Sequence, residues 1–346
     1  MINLECPIPK FDFDVITLGH GSGGLLTHRL LQSGVFSLFS NPLLDLQHDG
    51  ATLTLEGRIA VSTDSFVVSP LFFPGGNIGD LAVNGTVNDL AMCGARAKHL
   101  TLGFIIEEGL PITQLWDIMV SIRQAAHTAG VQIISGDTKV VEKGKGDGIF
   151  INTTGMGPVH PNANISHQRI QTGDKLIISG PIAAHGIAIM SLRKGLEFET
   201  TITSDTQPLC FMAEGLIENF GASVRFMRDP TRGGVASVLN EVAELTKHGF
   251  VLSQTALPIH EQVEGACEML GLDPLYVANE GIMLAVVAPE IAEACVALLH
   301  NQYACPHAAI IGEVTTEHPG KVTIKSRIGG RRVVNFLPGE QLPRIC

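Results

Sequence analysis

Between Arg58 and Gly157 the sequence switches repeatedly between two periods, and few architectures accept that alternation. Arg58 to Val68 is rich in Ile, Val and Ser and alternates as a strand does. Asn77 to Cys93 instead keeps Ile78, Leu81, Val87, Leu90 and Ala91 apolar at helical spacing, with Asp80, Asn84 and Asn88 at i, i+4 and i+8. Lys98 to Ile106 predicts a strand and Pro111 to Ala129 a helix capped by Gly130; strands follow at Val131 to Ser135 and Gly148 to Gly157. Such alternation predicts an α/β layer structure. Pro158-Val159-His160-Pro161 has the composition of a linker. A second unit opens at Lys175 to Ser179. It interleaves predicted helices at 184–193, 208–220, 231–246, 259–270 and 289–300 with strands near 223–227, 251–253, 283–287, 309–314 and 322–326.

Length agrees with two domains, since 346 residues exceed one ordinary domain. Hydrophobic residues make up 45% and charged ones 16%, which excludes large-scale disorder. A net charge of −11 without a basic run argues against nucleic acid or an anionic membrane surface as the main partner. No signal peptide or membrane-length apolar run is visible, so a cytoplasmic location is expected. The seven cysteines are odd in number, scattered and never in C-x-x-C form, a pattern of neither a disulfide framework nor structural zinc.

Phe13 to Leu18 has strand character, then Gly19-His20-Gly21-Ser22-Gly23-Gly24 precedes an apolar-periodic helix from Leu25 to Phe39. Gly19, Gly21 and Gly24 spell G-x-G-x-x-G, but Asn41-Pro42 stops the helix and a hairpin-like run follows. A dinucleotide site needs a second parallel strand there. A phosphate-facing glycine loop and a plain turn both remain open. His20 is placed to contact phosphate if the first holds.

Asp64, Asp89, Asp137 and Asp229 sit where an element meets a loop. Each alone is as readily a backbone cap or Asx turn. As a group, with glycine loops nearby, they suggest hard oxygen ligands for Mg²⁺ on nucleotide phosphates. Lys139 directly follows Asp137-Thr138, where an ammonium would neutralise phosphate or have its pKa lowered by burial. Glu280 precedes the strand at 283–287 and is a candidate base. A surface lysine and a turn glutamate are the plainer alternatives.

The chain ends Leu342-Pro343-Arg344-Ile345-Cys346, placing a thiol on its last residue. Chain ends are seldom core, so Cys346 is unsuited to packing. Gly329, Gly330, Pro338, Gly339 and Pro343 disfavour regular structure, and the segment predicts an extended arm. From Gly330 to Cys346 it spans at most roughly 50 Å at about 3.3 Å per residue. A frayed end with an incidental cysteine is the competing reading.

Taken together, His20-Gly21-Ser22-Gly23-Gly24, Ser62-Thr63-Asp64-Ser65, Phe73-Pro74-Gly75-Gly76-Asn77, Asn88-Asp89, Gly136-Asp137-Thr138-Lys139, Asp229-Pro230-Thr231-Arg232-Gly233-Gly234, Asn279-Glu280-Gly281 and the terminal Pro-Arg-Ile-Cys resemble the HypE family of hydrogenase maturation factors. The wider superfamily holds aminoimidazole ribonucleotide (AIR) synthetase, selenophosphate synthetase and thiamine monophosphate kinase. The terminal cysteine separates HypE from these relatives.

The resemblance implies a two-domain PurM-like fold, α/β plus α+β, whose amino-terminal sheet forms a barrel across a homodimer. It divides the chain into an extension (1–40), an ATP-binding and dimerisation domain (41–160), a carboxy-terminal domain (161–328) and a flexible tail (329–346). It also implies a chemistry: the carbamoyltransferase HypF loads a carbamoyl group onto Cys346, ATP drives its dehydration to thiocyanate, and a HypC–HypD complex receives the cyano group on iron. Lys139 and Glu280 are then the proton-transfer candidates and Asp64, Asp89, Asp137 and Asp229 the Mg²⁺ ligands. His20, Gly21, Gly23, Asn88, Thr138, Arg232 and Gly233 are the expected ATP contacts. Simple phosphoryl transfer to a free small molecule, as in the relatives, is the alternative.

Overall fold

A computed structural model of the protein describes residues 13–47, 50–195, 202–337 and 344–345. The glycine loop forms a single tight turn, Leu18–Gly21, followed by α1 (Leu25–Leu30), a π-helical turn (Leu31–Phe36) and α2 (Ser37–Phe39). Together they cover the predicted helix. The predicted strand at 13–18 is only an edge contact: Ile16 exchanges backbone bonds with Gly109 and Leu110 at 2.8 Å. The hairpin-like run after Pro42 is instead a 3₁₀ turn, Leu44–Leu46, because Asn41 Oδ1 gathers the N–H groups of Leu43 and Leu44.

Strands β1 (Ile59–Phe66), β4 (His99–Glu107), β5 (Gln132–Val141) and β6 (Ile149–Pro158) form one sheet in the order β1-β6-β4-β5, with the short pair β2 (Phe72–Phe73) and β3 (Gly76–Asn77) beside it. Helices α3 (Ile78–Met92) and α4 (Ile112–Ala129) cover one face. On that side Leu100, Leu102, Phe104 and Ile106 of β4 are buried. The other face carries Val61, 64% exposed, and Ile105, 47% exposed. Strand β5 runs further than predicted and contains the Gly136-Asp137-Thr138-Lys139 motif within it.

The second sheet has the order β13-β12-β9-β11-β7-β10-β8, built from β7 (Lys175–Ile178), β8 (Val224–Arg228), β9 (Gly249–Ser253), β10 (Leu284–Val287), β11 (Ala309–Thr315), β12 (Val322–Lys325) and β13 (Arg331–Val334). Helices α6 (Cys210–Phe220), α7 (Gly234–Thr246) and α9 (Ala292–Gln302) pack on it, while α5 (Ala184–Lys194) packs against α8 (Glu261–Leu270) and the β2 strand of the first unit. The arm therefore begins later than expected, since Arg331–Val334 pair antiparallel with β12.

The two units meet where α3 touches the stretch 204–209. Asn88, 1% exposed, donates to the carbonyls of Gln207 (3.1 Å) and Glu280 (3.2 Å) and accepts the N–H of Leu209 (2.7 Å). Both its N–H groups and its oxygen are thereby engaged in joining the domains. Arg96 adds an ion pair to Glu214 at 3.0 Å and lies over the Phe211 ring. Replacing Asn88 by Ala strands three buried backbone groups. It should cost about 2–4 kcal/mol in urea unfolding; loss of nucleotide affinity without loss of stability would return Asn88 to a ligand role.

Candidate active site

Strand β1 presents Ser62 and Asp64 to α3, where Ser62 Oγ donates to Asp89 Oδ2 at 2.7 Å. Gly85 of α3 has no side chain, so the Phe66 ring and the Asp64 carboxylate lie close against the helix. Asp229 follows β8 and Glu280 precedes β10; both are buried. The sign of every shift here is upward. Desolvation raises Asp64, with Asp89 adding to it and Arg232 opposing. Desolvation also raises Asp89, against its Ser62 bond. Burial, then the charge of Asp89, pushes Asp229 up to about 7. Glu280 lies well above the usual carboxylate range through burial and then the charges of Asp229 and Asp205.

Asp205 is part of the same group. Burial pushes it up to about 6, although it accepts the N–H of Glu280 at 3.2 Å and of Gly281 at 3.4 Å. These bonds fix the loop that carries Glu280. A side chain on Gly281 would collide with the Asp205 carbonyl. Among the described residues no three His, Cys, Asp or Glu side chains converge closely enough to hold a metal by themselves. The donors are nonetheless hard oxygens under mutual repulsion, which suits a cation that also takes ligands from phosphate.

Asp137 stands apart from the other predicted metal ligands within one chain. The registers align Asp64, Thr153, Leu102 and Gly136 in one row across the sheet. Asp137 is thus three strands from Asp64, roughly 14 Å at about 4.8 Å per strand, and points to the opposite face. Lys139 is exposed, its Nζ 2.6 Å from both Asp137 oxygens, and this pair holds Asp137 below its ordinary range. Gly21, Gly23, Thr138 and Lys139 instead line a separate cleft of about 390 Å³ walled by Phe36 and Phe104. Gly21 is required there because a Cβ would stand 2.5 Å from the Val140 nitrogen. His20 is outside the cleft. It is buried, its Nδ1 accepts the Thr17 N–H at 3.0 Å, and its ring packs edge-on against Phe13, so it closes the turn. Arg232 and Gly233 lie at the acids, at the start of α7.

Cys346 lies outside the described residues, as do Leu342 and Pro343. The two residues before it are seated between the domains. Arg344 donates to the Val67 carbonyl at 3.2 Å and pairs with Asp147, while its own carbonyl accepts from Ser69 N and the Arg193 guanidinium. Ile345 is 2% exposed. Its carbonyl lies 2.8 Å from His185 Nε2. A carbonyl only accepts, so Nε2 carries the proton and Nδ1 accepts from Ser204 Oγ, also at 2.8 Å. Burial drives His185 down to about 4, so this neutral tautomer persists through the physiological range. Ser204 is held by Pro74, whose carbonyl takes its N–H at 2.8 Å. Gly75, at φ +95°, lets that stretch approach, since a Cβ would meet Ser204 N at 2.8 Å.

Two family models match, the AIR synthase related protein N-terminal domain over residues 47–159 and its C-terminal domain over 171–325. A carbamoyl dehydratase HypE of Rhizobium leguminosarum bv. viciae is 47% identical over 332 residues, covering 96% of this chain and 95% of its own. The chain belongs to the HypE family. A crystal structure of the hydrogenase maturation protein HypE in complex with ATP superposes with a TM-score of 0.92 at 44% identity, over 95% of this chain and 99% of that one. HypE in a HypE–HypF complex gives a TM-score of 0.79 at 44% identity, over 91% and 100%.

Sequence reasoning missed Asp205, Ser204 and His185, which belong to no glycine motif; His185 stands at the start of the helix predicted over 184–193. A carboxylate with a raised folded pKa binds more protons in the folded than in the unfolded state between the two values, so it weakens the fold as pH rises through that window. For Asp229 the window is 3.8 to about 7. Asp229→Asn should therefore match the parent near the bottom of this window and exceed its stability by about 2 kcal/mol or more above it, in magnesium-free buffer. Urea midpoints measured across pH test this; a pH-independent difference would contradict it.

Proposed function

We propose that the protein is an ATP-dependent carbamoyl dehydratase that acts on its own carboxy-terminal cysteine. The observation that carries this reading is the seat of Ile345 on buried His185, whose other ring nitrogen bonds Ser204, the neighbour in sequence of the Asp205 that holds Glu280. The HypE relatives and the ATP-bound HypE structure support the same activity. A free small molecule would have no need of this seat.

A carboxamide oxygen is a poor leaving group. Transfer of the γ-phosphoryl group to the oxygen of Cys346–S–C(O)NH₂ makes it a phosphate ester, and loss of phosphate with two N–H protons leaves Cys346–S–C≡N. Overall the thiocarbamate and ATP give thiocyanate, ADP and phosphate. Glu280 is the base for the nitrogen: its burial among acids makes its carboxylate unusually basic. Lys139 offers an ammonium to phosphate, and the departing phosphate takes the N–H proton that Glu280 does not. Asp64, Asp89 and Asp229 would hold Mg²⁺ with phosphate oxygens, offsetting charge on an acidic protein. In the glycine-loop cleft, Phe36 and Phe104 suit a purine while Gly21, Thr138 and Lys139 face its phosphates.

One chain keeps this cleft and its acids at opposite edges of one sheet, which favours a homodimer. Burying Val61 and Ile105 of the exposed face against a second copy, in a barrel, would let the β5 edge of one chain meet the β1 edge of the other. Asp137 and Lys139 would then serve the other chain's acids, and the alternative of two β1 edges meeting would crowd like charges. HypF is the expected carbamoyl donor enzyme, given the HypE–HypF complex, and a HypC–HypD complex the acceptor. The site of action is the cytoplasm. Among the described residues no helix is long and apolar enough to cross a membrane.

Mixing Lys139→Ala and Glu280→Gln chains, each inactive alone, should restore about one quarter of parental turnover, because half of the dimers carry one intact shared site. No recovery after subunit exchange would place both residues in the same chain's site.

A further inference from the structure

We propose that Asn84 is a substrate-contacting residue: its Oδ1 and the Oε1 of Glu280 accept the two N–H bonds of the carboxamide carried by the tail. The inference rests on the function proposed above. Buried acceptors in a folded protein are almost always paired. Asn84 is 4% exposed and Glu280 2%, yet Asn84 Oδ1 and Glu280 Oε1 have no partner within the described protein.

Both groups are tied to the same short stretch of chain. Asn84 Nδ2 donates to Thr206 Oγ1 at 3.3 Å, and Glu280 N donates to Asp205 Oδ1 at 3.2 Å. Asn84 also sits one helical turn before Asn88, whose Nδ2 reaches the Glu280 carbonyl. The Thr206 bond takes one of the amide's two N–H groups, and the amide oxygen is the atom without a partner. The tail arrives at this stretch too: Ile345 bonds His185, His185 bonds Ser204 Oγ, and Ser204 Oγ accepts the Thr206 N–H at 3.1 Å. The next α-carbon is only about 3.8 Å beyond that of Ile345.

Two unpartnered acceptors select a ligand atom with two donors. A carboxamide nitrogen has two, a hydroxyl one, and a carboxylate or phosphate none. Held by its nitrogen, the group turns its oxygen away for phosphorylation. Glu280 then takes a proton as the carbon–nitrogen multiple bond forms, while Asn84, which cannot accept one, orients the nitrogen. The site is thereby specific for an unsubstituted carboxamide.

The test uses full-length chain loaded with the carbamoyl group by HypF and carbamoyl phosphate, and follows single-turnover loss of water on adding ATP and Mg²⁺ by intact mass. Asn84→Ala should slow that step about 10- to 100-fold with nucleotide affinity unchanged. Asn84→Leu, which fills the same volume, should do likewise and covers a folding defect in the first. Thr206→Val, which removes only the Asn84 anchor, should cause a smaller loss. Parental rates in both Asn84 variants, or an equal loss in Thr206→Val, would overturn the assignment. A parent that accepts the carbamoyl group but never loses water would remove the proposed function and this inference with it.

Discussion

The arrangement of the whole site depends on one side-chain amide. Asn88 projects from α3 of the first domain and bonds the backbone of two stretches of the second, at Gln207 and Leu209 and at Glu280. Those bonds are buried, where an unmet polar group costs far more than an exposed one. They therefore set the spacing between Asp64 and Asp89 on one domain and Asp229 and Glu280 on the other. Asp205 repeats the device a few ångströms away by gathering the N–H groups of Glu280 and Gly281.

Against that rigidity stands an electrostatic tension. Asp64, Asp89, Asp205, Asp229 and Glu280 gather around the junction, Asp229 and Glu280 buried and Asp64 exposed, and each has its proton affinity raised, chiefly by burial. Such a cluster opposes folding when ionised and gains stability from any cation it meets. The fold tolerates it because the junction is fastened elsewhere, by Asn88 and by the Arg96–Glu214 pair. The tail adds no charge to the cluster through the contacts described. Its Arg344 is neutralised by Asp147 at the entrance, and Ile345 enters as an apolar plug with a single carbonyl bond.

Much of this was legible in the sequence. Period and glycine placement located nearly every helix and strand, because the α3 stripe of Ile78, Leu81, Val87, Leu90 and Ala91 and the alternation in β4 report burial directly. The acids were visible as a set but not as a geometry. Asp137 differs from Asp64 only in standing on the far strand and facing the other way, and register across four strands is a tertiary property. Asn88 looked like a ligand because a polar residue on a helix beside an aspartate carries no mark of what it will touch. His20 misled in the same way, since a histidine in a glycine loop also caps turns. Asp205, in Ser204-Asp205-Thr206, has no local signal at all; its importance comes from the loop that folds against it. The strand Arg331–Val334 was hidden by flanking glycines that suggested an arm.

The account stands or falls on whether the sulfur of the chain's own last residue carries the group that is converted. The most direct measurement is the mass of the terminal peptide after incubation with HypF, carbamoyl phosphate and ATP. A gain corresponding to one carbamoyl group on Cys346, followed by loss of one water that requires ATP and Glu280, is the expected result. An unmodified terminal peptide, or cyano-group production undiminished in a chain ending at Ile345, would contradict it.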